Sequence, residues 1–140
     1  MATPAPEPKT QAYSAVARKV TTALCYLFAV GVALQVFTIG MVFLGGQVRY
    51  LEVHRTVGMW LGVVAILTIV GSLVARTSWR VALSAFVLLT LYVLQYTLID
   101  ARNGPFVRAF HAVNALLLFW LALDLGRQLT SFRTVSRPGA

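Results

Sequence analysis

Acidic residues are nearly absent from this chain. Asp and Glu together fill four of 140 positions, and charged residues of both signs make up only 11%, against about 25% in ordinary soluble domains. Glu52 and Asp100 lie toward one edge of the apolar runs and Asp124 toward the other, so no carboxylate is deep enough to complete a proton relay across a membrane. Cysteine is represented once, by Cys25 inside the first apolar run. That excludes an intrachain disulfide and a C-x-x-C site, and it reads as a small buried hydrophobe. There are only two histidines, too few for a zinc or non-haem iron site built from three protein ligands. Also missing are a P-loop, a dinucleotide-binding fingerprint and a Ser/His/Asp nucleophile set.

What is present is apolar. Hydrophobic residues make up 59% of the chain, more than a soluble domain of this size can hide, because small folds leave much of their area exposed. They gather into four runs, from about Ala15 to Leu44, Leu51 to Ala75, Val81 to Ile99 and Phe106 to Leu125. Each is long enough for the roughly 30 Å hydrocarbon core at 1.5 Å per helical residue. Breakers separate them: Gly45-Gly46, the RTSWR connection in which Thr77 or Ser78 can cap the next helix, and the segment holding Gly104-Pro105. In lipid the backbone must satisfy its own hydrogen bonds, which favours helices. Short connections favour antiparallel neighbours. The expected fold is all-α, an up-down-up-down four-helix transmembrane bundle over residues 14–129. Residues 1–13 read as a flexible tail and 130–140 as a polar C-terminal tail. No signal peptide is evident, since the first run exceeds a signal h-region.

The formal net charge is +8. The cations sit in short caps between apolar runs, so they read as topology and headgroup signals rather than a nucleic-acid surface. Lys9, Arg18, Lys19, Arg76, Arg80, Arg127, Arg133 and Arg137 share one side. Arg49, Arg55, Arg102 and Arg108 share the other. The positive-inside rule places both termini in the cytoplasm of a multi-pass inner (plasma) membrane protein. His54 and His111 then lie near the outer face, each near the start of a parallel span.

Gln35, Gln95 and Asn114 fall in the same outer half, so all four spans carry a polar group there. Such groups turn inward, either as interhelical hydrogen-bond glue or as part of a site. Two imidazoles facing each other across a bundle can hold a six-coordinate haem iron. His54, Gly58 and Gly62 recur every four residues on one stripe. The glycines leave room either for a porphyrin face or for a tightly packed G-x-x-x-G seam. Arg55 and Arg108 can meet propionates or serve as interfacial anchors. Phe37, Tyr96, Phe110 and Phe119 can supply ring contacts or fill core and belt positions.

The stretch LEVHRTVG around His54, with FHAVN around His111, resembles one half of a haem A synthase-type membrane protein and, more loosely, a small four-helix b-type cytochrome. It is also similar to a set of small uncharacterised four-helix bacterial membrane proteins with an H-R-x-x-G and H-A-x-N pattern, which implies no established activity. The synthase likeness implies haem ligation by His54 and His111 near the outer face. It departs at Glu52, which is two residues before His54 where active halves carry Glu three before, and in the missing cysteine pair. Together these lead to an expectation of one haem b held by His54 and His111, for electron transfer or haem handling with a membrane redox partner or complex. A cofactor-free bundle or complex subunit is the alternative, and a compact haem A synthase-like enzyme the third. The lipid bilayer is the expected surrounding, and the glycine seams allow a homodimer.

Overall fold

A computed structural model describes residues 8–100 and 102–131. The described residues form four helices: α1 Pro8–Phe43, α2 Tyr50–Val74, α3 Trp79–Ile99 and α4 Pro105–Ser131. All four are long and apolar enough to cross a membrane. α1 begins at Pro8, so residues 8–13, expected in the tail, are helical, and the proline stands where a missing N–H costs nothing. α4 runs to Ser131, past the expected end of the fourth span. The rest of both expected tails lies outside the described residues.

Each helix packs on its two neighbours in a closed ring. The diagonal pairs, α1 with α3 and α2 with α4, make no close backbone approach. Across α1 and α2, Gln35 meets His54, Gly31 lies under Leu61 and Thr21 meets Gly71, a pairing in opposite sequence order. α3 and α4 pair likewise, Gln95 with His111 and Leu91 with Asn114.

The turns explain where the helices stop. After α1 the chain reverses through Gly46, at φ +62°, while the Gln47 N–H donates to the Met41 carbonyl at 3.0 Å. After α2 the same left-handed step falls on Arg76, at φ 49°. Thr77 then closes on the Ser72 carbonyl through its N–H at 3.4 Å and its hydroxyl at 2.9 Å. That is a helix stop normally given to glycine. Ser78 does occupy the residue before α3, but its side chain makes no capping bond, so the expected cap is positional only. The α3–α4 turn is tied by Asp100, whose carboxylate accepts from the Arg102 N–H at 2.9 Å and from its guanidinium at 2.7 Å. This exposed pair holds the Asp100 carboxyl below the ordinary aspartate range.

The apolar core begins inward of the polar layer. Phe28, Ala29, Val32, Leu61, Ala65, Leu88, Leu118 and Ala122 pack together, and Cys25, Val81, Ala85, Leu125 and Leu129 continue toward the far end. The outward surface carries large apolar side chains such as Leu44, Trp60, Trp79, Leu116 and Trp120. A bundle whose exterior is as greasy as its interior belongs in lipid. Thr21, Thr68 and Ser72 are buried at the far end, each donating to a carbonyl one turn back on its own helix, so none needs an external partner.

Candidate functional site

The four helices place one polar layer near the α1–α2 and α3–α4 turns. From α2, His54 directs Nδ1 to the main-chain carbonyl of Gln35 on α1, at 3.1 Å. From α4, His111 directs Nδ1 to the main-chain carbonyl of Gln95 on α3, also at 3.1 Å. A carbonyl only accepts, so in both bonds Nδ1 carries the proton. In the neutral ring this leaves the Nε2 lone pair as the free ligand atom. The two hairpins thus repeat one device: a glutamine peptide oxygen on the first helix orients the imidazole on the second.

The rings meet across the diagonal of the bundle. Their centroids are 6.5 Å apart and their planes inclined by 49°. Two imidazoles on opposite sides of one metal would have centroids about 6.2 Å apart, from metal–nitrogen bonds of roughly 2 Å and about 1.1 Å from each nitrogen to its ring centre.

The expected amides line the same layer. Gln35 Nε2 donates to the His54 carbonyl at 2.8 Å. Asn114 Nδ2 donates to the Leu91 carbonyl at 2.8 Å and to Gln95 Oε1 at 2.7 Å. Both amides therefore spend their N–H groups on helix α2 or α3. Their oxygens, Gln35 Oε1 and Asn114 Oδ1, are buried with no hydrogen-bond partner among the described residues. Buried acceptors are rarely left unpaired, because each lost bond costs about 1–3 kcal/mol. The layer is rich in acceptors and short of an electrophile or donor.

Two residues that sequence reading passed over belong here. Thr38, one turn along α1 from Gln35 and 1% exposed, donates to the Gln35 carbonyl at 3.0 Å and lies 3.3 Å from His54 Nδ1. Its hydroxyl oxygen shares the imidazole proton with the Gln35 carbonyl. Tyr92 on α3 donates to the Gly58 carbonyl at 2.9 Å and lies 2.8 Å from the Tyr96 hydroxyl. The i, i+3 spacing of Gln35 and Thr38 was the available signal for the first. Tyr92 carried no signal beyond being a tyrosine in an apolar helix.

The glycine stripe takes its tighter form. A Cβ on Gly58 would meet Gln35 Nε2 at 2.9 Å, and one on Gly62 would meet the Tyr92 ring at 2.8 Å. Side chains from α1 and α3 occupy the space that the glycines leave.

Arg55 and Arg108 are exposed, and neither makes an ion pair among the described residues. Phe37 and Phe110 turn away from the layer, Phe37 stacking edge-on to Tyr50 and Phe110 to Phe106. Phe119 packs against the apolar core. Among the described residues, no group of three His, Cys, Asp or Glu converges on one point.

Residues 35–102 match the model of a family of unknown function, DUF6220. The matched segment runs from Gln35 to the α3–α4 turn. It takes in Thr38, His54, Gly58, Gly62, Tyr92 and Gln95, and stops short of His111 and Asn114. No curated protein and no solved structure matches the chain.

Proposed function

We propose that this chain is a membrane protein that binds one b-type haem between His54 and His111, near the outer face, and serves electron transfer or haem handling. The observation that carries the reading is the imidazole pair itself. Two rings from helices with no close backbone approach lie 6.5 Å apart, each with Nδ1 held by a main-chain carbonyl.

Charge selects among metals. The layer offers imidazole nitrogens and amide oxygens, all neutral. Glu52 is exposed at the start of α2 and Asp100 is paired with Arg102 in the turn. A bare divalent cation there would be an uncompensated charge in a low-dielectric bundle. A porphyrin dianion cancels the charge of a ferrous ion before it enters, so a haem fits the donor set where a free ion does not. Arg55 and Arg108 remain free to meet two propionates at the outer rim. A bound haem supplies a one-electron couple. The chain's part is to fix both ring planes, exclude water and anchor the carboxylates.

The Lys and Arg distribution, eight on one side and four on the other, supports cytoplasmic termini and an outward-facing haem layer. A redox partner or haem donor would then approach from the outer side.

A second reading, a cofactor-free bundle ordered by its polar layer, draws on the closed packing of Gln35 and Tyr92 over Gly58 and Gly62. An absorption spectrum of protein purified from haem-replete cells separates the two. The haem reading expects a Soret band and sharp reduced α and β bands, lost in both His54→Ala and His111→Ala. A colourless protein would sink it.

A further inference from the structure

At the end of the bundle opposite the histidines, α1 and α4 border a groove of about 130 Å³, lined by Arg18, Lys19, Thr22, Leu129 and Thr130. Its chemistry is one-sided. The Thr22 hydroxyl donates to the Arg18 carbonyl at 2.9 Å, and the Thr130 hydroxyl to the Arg127 carbonyl at 2.7 Å. The threonine protons are thereby committed to the main chain. The free donors in the groove are the Arg18 guanidinium and the Lys19 ammonium. Neither makes an ion pair among the described residues.

Among the described residues no acid lines the groove. Asp124 is the acid of α4, six residues before Thr130 or about 9 Å along the helix, and it accepts from Gln128 Nε2 at 2.6 Å. Residues 132–140 carry Arg133 and Arg137 and no Asp or Glu, so they bring no acidic side chain to neutralise it. Arg127 adds a third cation at this end of α4. The space suits a tetrahedral oxyanion, and a guanidinium fork beside an ammonium is a donor set for phosphate.

The same turns of α1 carry apolar surface: Val16 and Val20, within two residues of Arg18 and Lys19, are exposed, and the buried Leu129 contributes an apolar side chain to the lining. A ligand with a phosphate head and apolar chains fits both halves of that lining, whereas free phosphate would use only the cations.

We propose that this groove is a specific site for the phosphate headgroup of an anionic membrane lipid, held by Arg18 and Lys19. The site is independent of the haem reading.

The test is native mass spectrometry of the full chain, delipidated in detergent and titrated with phosphatidylglycerol or phosphatidylcholine of matched acyl chains. The unaltered protein should retain one phosphatidylglycerol in preference to phosphatidylcholine. The R18Q/K19Q double variant should bind it roughly ten- to thirtyfold more weakly, from the usual contribution of each cation near a headgroup. The R76Q/R80Q variant, which removes equal charge from the same end outside the groove, should bind as the unaltered protein does. Circular dichroism of each variant checks that the helices persist. Equal retention in the groove variant would overturn the site. Equal weakening in both variants would reduce it to diffuse attraction. Displacement of the lipid by inorganic phosphate would assign the groove to a free anion instead.

Discussion

His54 and His111 project from helices that share no backbone contact, yet their rings come within 6.5 Å of each other. The bundle brings them together by orienting each ring from the neighbouring helix of its own hairpin. The two halves are not equivalent in detail: His54 has the Thr38 hydroxyl beside Nδ1 as well as a carbonyl, whereas His111 Nδ1 is held by the Gln95 carbonyl.

That asymmetry has a measurable effect. On the proposed haem reading, removing the hydroxyl in Thr38→Val should weaken haem retention toward the lower end of the 10–100-fold range typical of groups that orient a metal ligand. Thr38→Ser should restore it. Haem dissociation measured by transfer to an apo-acceptor protein gives the ratio. An unchanged rate in Thr38→Val would show that the Gln35 carbonyl suffices.

Glycines in the helices should diverge in their response to a methyl group. Gly62→Ala drives a Cβ into the Tyr92 ring, and overpacking of this kind costs about 1–3 kcal/mol. At Gly40 an added Cβ would meet nothing within 4 Å, so alanine there should gain about 0.5–1 kcal/mol from helix propensity. Unfolding in detergent–denaturant mixtures reads both, and opposite signs are the expected result.

Arg76 occupies a left-handed conformation at the end of α2. An L-residue there carries roughly 1–2 kcal/mol of steric cost that glycine avoids. Arg76→Gly should therefore raise stability by up to about 1 kcal/mol, since glycine also loses more entropy on folding. The same unfolding assay decides it, and a loss of stability would mean that the Arg76 charge matters more than its backbone.

The α3–α4 turn should respond to acid. The Arg102 guanidinium holds the Asp100 carboxyl below its ordinary value, so folding favours the ionised form. Its contribution is fully present above the ordinary aspartate pKa and disappears as pH falls through the depressed value. An NMR titration of the Asp100 carboxyl should show a midpoint below that of an unperturbed aspartate. Arg102→Gln should raise it part of the way back, because the residue 102 N–H still donates to the carboxylate.

The fold was legible because lipid leaves few choices. Four apolar runs separated by Gly45-Gly46, RTSWR and Gly104-Pro105 fix four helices, and the observed ends differ mainly where polar residues continue a helix, as from Arg127 to Ser131. The layer was legible in part. His54, His111, Gln35, Gln95 and Asn114 are costly in hydrocarbon and had to face inward, and they do. Thr38 and Tyr92 were not singled out, because a hydroxyl can be satisfied within its own helix or at an interface and so gives little warning. The fate of Gly58 and Gly62 could not be read either. A missing side chain does not say what fills the gap, and here Gln35 and Tyr92 do.

The atoms that aim both imidazoles are peptide oxygens, Gln35 O and Gln95 O. No substitution can delete them, so alanine scanning will overlook the principal orienting groups. A one-residue insertion in α1 or α3 would swing the acceptor by about 100° around the helix axis. Ring alignment is thus governed by helical phase, and insertions, rather than replacements, are the changes to which it is most vulnerable.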